Sequence, residues 1–333
     1  MPSCIKAVEH AWNKMILVLF SPFEIGKWFL LGLSAWLAHL MEDGGGFEII
    51  NQLGSMPNMF SGADWRVNLN KLCPERPESL SDLVNLFNSL LLQHTGLGFT
   101  FWGSLVGVIL LFMVALTLLL LWLKTRCEFI FLDNTVNNTS HFVETWSQFK
   151  SPGNSLFLWR VGFGFFAFLL WGLLLLGLVV LLIATCNDNI LFLSILAGAI
   201  AILVPGAILF ALVESSLRHF VVPLMYKKSI KVIAAWGEFL KILRTDATAF
   251  IRFFLMLALL RIAGAFILSF AAIATCCCCG IGIVFYIPYI SAVVVLPFSV
   301  FFRLYGVEFL SQFGGEYDLR ALPMERPQAT GSV

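Results

Sequence analysis

Two groups of residues in this chain have types and spacing that could do chemistry. The first is Arg261, inside the run "LLRIAGAFILSF". It lies nine residues beyond Arg252. If Arg252 marks a membrane boundary, Arg261 is about 13 Å deep at 1.5 Å per residue, close to the midplane of a hydrocarbon layer about 30 Å thick. A charge at that depth costs about 2.5–3.5 kcal/mol and ordinarily faces a partner in the bundle interior. No carboxylate falls at the same depth. Pro205 stands eight residues before the end of its own apolar run at Val213. It removes one backbone hydrogen bond and frees the carbonyl of Ala201 at about 12 Å. Arg261, Ala201 and Pro205 therefore form a candidate ligand-binding site, where the guanidinium meets the broken turn or an anionic ligand beside it. The alternative is a helix whose register differs, with Arg261 extending to the headgroups.

The second group is Cys276–Cys279, followed by Gly280-Ile281-Gly282. It holds a single C-x-x-C spacing. A metal site needs a second pair or a histidine pair, and neither Cys4, Cys73, Cys127 and Cys186 nor the scattered His10, His39, His94, His141 and His219 supply one. Small apolar thiols beside glycines suit a tight hairpin packed in lipid, with disulfides to Cys186 as the minor alternative. The stretch "RCEFIFLDNTVNNTSHFVETW" gathers Glu128, Asp133, Asn134, Asn137, Asn138, His141 and Glu144. They read as turn formers and a wet helix face in preference to a polar site. No phosphate-binding glycine loop, H-E-x-x-H, nucleophile elbow or pair of intramembrane carboxylates occurs. The sequence therefore predicts no catalytic residues, no metal, no cofactor and no enzymatic activity.

Lipid must be the solvent of the elements that hold these residues. The chain is 59% hydrophobic and 12% charged, with a mean hydropathy of +0.89, and could not cover its apolar surface with polar groups. Leu97–Leu123, Val161–Cys186 and Ile190–Val213 carry no charge, Ile262–Phe302 is uncharged over nearly two passes, and Ile25–Met41 contributes a weaker sixth. A net charge of +1 without basic stripes argues against nucleic acid as a partner. The apolar stretch Met15–Phe20 is too short for a cleaved signal, so the first helix is expected to stay.

The passes fall into repeats marked by three tryptophans: Trp12 in "AVEHAWNKM", Trp146 in "HFVETWSQF" and Trp236 in "KVIAAWGEF". Each lies in a segment with apolar residues at helical spacing, Ile5, Val8, Trp12, Met15, Ile16 and Leu19 in the first. A helix-start signal follows each: Ser21-Pro22 with Glu24, Ser151-Pro152, and Thr245-Asp246. Entry cations come next, Lys27, Arg160 and Arg252, and exit cations close each unit, Arg126, Arg218 and Arg303. The tryptophans and these six cations are the expected membrane-interface anchors. The fold expected is all-α integral membrane, six transmembrane helices in three parallel repeats, each an amphipathic interfacial helix followed by a transmembrane hairpin. A single domain spans 1–319, with units of about 1–130, 131–224 and 225–319.

The tryptophan spacings of 134 and 90 residues place a 44-residue insertion in the first unit. It occupies 42–96, is acidic, and ends in an apolar stripe from Leu80 to Leu91 behind a Ser79/Asp82 capping box. It is expected to face outward. Segments 1–27, 124–160, 214–252 and the tail from 303 hold 17 of the 21 Lys and Arg, the exceptions being Arg66, Lys71, Arg76 and Arg261. The positive-inside rule then puts both termini in the cytoplasm. The tail 320–333 reads as disordered.

Through "LFSPFEIGKWFLLG", "FLDN" and "GNSLFLWR" the whole chain resembles uncharacterised bacterial multi-pass inner-membrane proteins and is similar to the membrane domains of some glycerophosphodiester phosphodiesterases. The phosphodiesterase domain is missing, so its activity does not carry over. The resemblance implies a bacterial inner (cytoplasmic) membrane. Two functions fit: organising or sensing membrane lipids or partner proteins through the cytoplasmic helices, or a transporter or lipid-handling carrier using Pro205 and Arg261.

Overall fold

The computed structural model describes residues 2–21, 23–39, 99–139, 143–184, 189–279 and 288–319. The insertion 42–96, its expected stripe helix and the tail 320–333 lie outside the described residues, as do Cys186 and the side chains of Cys276–Cys279. Among the described residues every regular element is helical. They are α1 (Cys4–Phe20), α2 (Ile25–Ala38), α3 (Phe99–Asn137), α4 (Val143–Gln148), α5 (Lys150–Ala184), α6 (Asn189–Ser216), α7 (Val222–Lys228), α8 (Val232–Thr245), α9 (Ala247–Cys279), α10 (Pro288–Val294) and α11 (Leu296–Leu310). A single π turn, Leu217–Val221, joins α6 to α7.

Four stretches are long and apolar enough to cross a membrane: Ser104–Asn137, Lys150–Leu182, Ile190–Lys228 and Ala247–Ala271. Ile25–Ala38 is apolar but shorter. The chain thus has the helices of a membrane protein. Three of them, at 33 to 39 residues, are longer than a bilayer needs. The 39 residues of α3 extend about 58 Å, roughly twice the hydrocarbon thickness.

The excess length goes into protein packing. The Cα packing divides the chain into two compact units, the first from Met1–Gln52, Leu121–Trp159 and Val213–Val333 and the second from Leu53–Leu120 and Arg160–Leu212. In the first unit the last turns of α3, from Lys124 to Leu132, are buried without interruption, as are Ser216–Leu217, His219–Tyr226 and Arg303–Leu310. Its centre is aromatic. Phe253 stacks on Tyr305 with ring centroids 4.6 Å apart, and touches Phe309 at 4.7 Å and Phe220 at 4.8 Å. Each such pair contributes about 0.5–1.5 kcal/mol beyond the area it buries.

Close backbone approach fixes how these helices meet. A Cβ on Gly306 would stand 2.9 Å from both the carbonyl oxygen and Nδ1 of His219, so α11 can lie against the π turn only with glycine at that position. A Cβ on Gly32 would come within 2.6 Å of Val293 Cγ2, and Tyr289 donates its hydroxyl to the carbonyl of Phe29 at 2.9 Å, which ties α10 to α2.

The start of α9 follows its sequence signal. Asp246 accepts from the backbone N–H of Ala249 at 3.1 Å and from the Thr248 hydroxyl at 2.8 Å. The start of α2 does not. Ser21 terminates α1, and α2 begins at Ile25 with Glu24 at the cap position and no side-chain cap bond. The rings of Phe20, Phe23 and Trp28 set this corner instead, with centroids 5.6–6.5 Å apart, and Trp28 Nε1 donates to the Leu19 carbonyl at 2.7 Å.

In the second unit, packing is sparse and the candidate spans show large exposed apolar surface. Phe163 stacks on Phe210 at 5.2 Å, and Gly206 lets the Trp171 ring approach to where a Cβ would touch it at 3.4 Å.

Candidate functional site

α1 supplies most of the site. Its buried face is Ala7, Ala11, Met15, Val18 and Leu19, at spacings of four, four, three and one, and the small alanines bring it close to α11. Its N-terminus is clasped there. Gln312 Oε1 accepts from the Ser3 N–H at 2.6 Å, and Gln312 Nε2 donates to the Ser3 carbonyl at 3.1 Å. A second sector, with Ile5 73% and Trp12 54% exposed, is apolar and meets little protein. A third carries Lys6, His10, Asn13 and Lys14.

Along that third sector lies a cavity of about 430 Å³, inside the range of small-ligand sites. His10, Asn13, Lys14 and Leu17 line it from α1, Asn138 from the end of α3, and Glu308 from α11. Glu308 is only 2% exposed, whereas His10 and Asn13 are open at the rim. Lys14 Nζ stands 3.9 Å from Glu308 Oε1, the outer limit of an ion pair and well beyond the 2.7–2.9 Å of a tight charge-assisted hydrogen bond. The cavity thus presents an acid in its depth, with the Lys14 ammonium and the His10 ring toward its mouth.

The Asn138 wall is held from behind. Asn138 has φ +56°, a left-handed conformation that asparagine tolerates better than most residues. Its Oδ1 accepts from Lys27 Nζ at 2.6 Å, and the same ammonium donates to the Val18 carbonyl at 2.7 Å. The entry cation Lys27 is therefore a protein-enclosed strut between α1, α2 and the end of α3. One turn earlier, Asp133 accepts from the Tyr226 hydroxyl at 2.7 Å, from Asn137 Nδ2 at 2.7 Å and from the Thr145 hydroxyl at 3.2 Å. Of the residues the sequence offers as turn formers or a polar site, Asp133, Asn137 and Asn138 act as a part-buried joint, while His141 and the Glu144 side chain lie outside the described residues.

The exit cations are placed alike. Arg303, 5% exposed, donates from Nη1 to the Arg218 carbonyl at 2.9 Å and from Nη2 to the Glu128 carbonyl at 3.1 Å. Arg126 donates to Asn154 Oδ1 at 2.9 Å and lies over the rings of Trp122 and Trp146 at 4.7 and 5.3 Å. Arg160 is buried as well, whereas Arg252 is exposed and bonds the Thr248 carbonyl. Trp236 stacks on Trp159 at 5.7 Å, and Trp12 meets Phe301 edge-on at 6.1 Å.

Arg261 is exposed on α9 in the first unit, and Ala201 and Pro205 are exposed on α6 in the second, Pro205 inside the helix. The cavity draws instead on residues that sequence reasoning did not single out: Asn13, Lys14 and Glu308. The available signal was the i, i+4 pair His10/Lys14 on one side of α1. Among the described residues no three His, Cys, Asp or Glu gather to hold a metal ion.

Long apolar helices and a packed all-helical unit carrying a charged cavity define a helical membrane protein. Residues 3–288 match a family of unknown function, DUF7544, and the chain belongs to that family. No curated protein and no solved structure matches it.

Proposed function

We propose that the protein is a non-enzymatic, six-pass membrane protein built of three parallel repeats. Both termini lie on the cytoplasmic side of a bacterial inner membrane, where it organises or senses lipids or partner proteins. The observation that carries this reading is the second sector of α1. Ile5, Trp12, Ile16 and Phe20 are all exposed on a helix that already buries another face in protein. The corner residues Phe23 and Ile25 continue that surface. A helix with one face in protein, one apolar and one charged suits the headgroup boundary, where large apolar side chains and tryptophan are favoured. Ile233 and Leu240 give α8 a similar exposed sector.

The tryptophan contacts support the repeat reading. Each marker ring packs on an aromatic close in sequence to a membrane-end cation: Trp12 on Phe301 before Arg303, Trp146 on Trp122 before Arg126, Trp236 on Trp159 before Arg160. Rings beside cations at helix ends are the arrangement of an interfacial belt. Buried exit cations add a second role to anchoring, since Arg303 ties two other helix exits together through their carbonyls. The alternative reading, a carrier with Arg261, Ala201 and Pro205 at the midplane, draws on the proline inside α6.

Nitroxides placed singly at Ile5, Ile16, Lys6 and Asn13 in nanodiscs test the reading. Oxygen should relax the first two more than a water-soluble nickel chelate does, with the reverse at Lys6 and Asn13. Equal preference for the chelate at all four positions would remove the interfacial reading. Saturable transport abolished by Arg261→Gln would favour the carrier.

A further inference from the structure

The cavity on α1 has an order to its chemistry that specifies a ligand class. Its deep end is the carboxylate of Glu308, 2% exposed. Farther out are the Lys14 ammonium, 21% exposed, and the His10 ring at the rim. Beyond them comes Leu17, on the same helix and continuous with the exposed apolar sector of Ile16 and Phe20. A complementary molecule must carry a cation at its tip, an anion next, and apolar chains last.

We propose that this cavity binds a phosphate-linked primary amine, the headgroup chemistry of an ethanolamine phospholipid. The ammonium meets Glu308, the phosphate meets Lys14 and His10, and the chains run out over Leu17. An anion alone would compete with Glu308 for the Lys14 ammonium. A quaternary amine is held by aromatic faces, and among the described residues no phenylalanine, tyrosine or tryptophan lines the cavity, whereas a primary ammonium donates directly to a carboxylate. The volume of about 430 Å³ suits a headgroup, with the rest of the lipid outside. Lys27 holds Asn138, and through it the far wall, in place. This inference rests on the interfacial placement of α1 proposed above.

The test uses the full-length protein reconstituted in vesicles containing equal parts phosphatidylethanolamine, phosphatidylcholine and phosphatidylglycerol, followed by native mass spectrometry. Wild type should retain phosphatidylethanolamine in preference to the other two. Lys14→Gln and His10→Gln, both at accessible positions, should weaken that retention by about tenfold, the loss of one charge-assisted contact. Glu308→Gln should do the same, and because its site is buried the two rim variants carry the conclusion if it fails to fold. Addition of glycerophosphoethanolamine identifies the source. Displacement of the lipid shows that the headgroup ester suffices, and lack of displacement shows that the chains contribute; both support the site. Equal retention of all three lipids, or unchanged phosphatidylethanolamine retention in both rim variants, would overturn it. A nitroxide at Ile16 in the same vesicles separates the two failures. Lipid exposure there with no headgroup selectivity rejects this inference alone, and water exposure rejects the interfacial placement.

Discussion

Arg303 Nη1 donates to the main-chain oxygen of Arg218 at 2.9 Å, joining two helix exits that are 85 residues apart in the chain. The other nitrogen of the same guanidinium bonds the carbonyl of Glu128, so one side chain of α11 ties the π turn to the buried last turns of α3. Carbonyls at an irregular or ending helix need donors, and Arg218 opens onto the π turn. Arg303→Gln should destabilise the detergent-solubilised protein by about 2–3 kcal/mol, the cost of taking a charged donor from two buried carbonyls. Arg303→Lys should recover only part of that, because a point charge does not reach both carbonyls as a fork does. Thermal or denaturant unfolding followed by circular dichroism measures both.

Gly306 allows that closure. Gly306→Ala places a methyl 2.9 Å from the His219 backbone oxygen, and backbone moves less readily than a side chain end. A loss of about 1–3 kcal/mol is expected from overpacking. Gly237→Ala, where nothing stands within 4 Å, is the control and should be neutral or slightly stabilising. Similar melting temperatures for the two variants would show that α11 and the π turn are not in this contact.

The Lys27 strut makes Asn138 a position where backbone and side chain can be separated. Asn138→Gly removes the Oδ1 acceptor but keeps the left-handed backbone at little cost, whereas Asn138→Ala removes the acceptor and adds strain. Alanine should be the more destabilising by about 1 kcal/mol. Both variants should lower headgroup selectivity if the far wall positions the ligand.

A charge cluster on α8 gives a pH dependence with a definite sign. Glu238 accepts from Lys241 at 2.8 Å and Lys228 at 3.1 Å, and these hydrogen bonds, the one from Lys241 first, hold its carboxyl below the ordinary value. A lowered folded-state value means the stabilisation is complete above the unfolded carboxylate range and fades as pH falls through the folded value. Wild type should therefore exceed Glu238→Gln in melting temperature at neutral pH. The difference should shrink on acidification below the usual glutamate range and weaken in high salt.

Much of this architecture is legible in the residues before any coordinates. Uncharged runs of bilayer length mark three of the four long helices, the fourth, Ala247–Ala271, carrying Arg252 and Arg261; the tryptophan segments mark α1, α4 and α8, and Asp246 marks the start of α9. What is not legible is which apolar face a helix buries. On α1 the periodic residues Ile5, Trp12 and Ile16 are exposed, and the face in protein is set by Ala7 and Ala11, whose small size lets α11 approach. Periodicity reports that a face is apolar but not whether protein or lipid covers it. The burial of Lys124–Leu132 is hidden for a related reason, since "KTRCEFIFL" reads as a charged exit followed by a short apolar run. The cavity is hidden most completely, because Lys14, Asn138 and Glu308 come from three distant segments and become neighbours only when the helices pack.

The most direct measurement of the central claim is quenching of Trp12 fluorescence by lipids brominated near the headgroup end of their chains, taken as the difference between wild type and Trp12→Phe in nanodiscs. With α1 at the headgroup boundary, the Trp12 component is strongly quenched by shallow bromines and less by bromines near the chain ends. A Trp12 component untouched by any brominated lipid and quenched by aqueous iodide would place the exposed face of α1 in water and contradict the interfacial function.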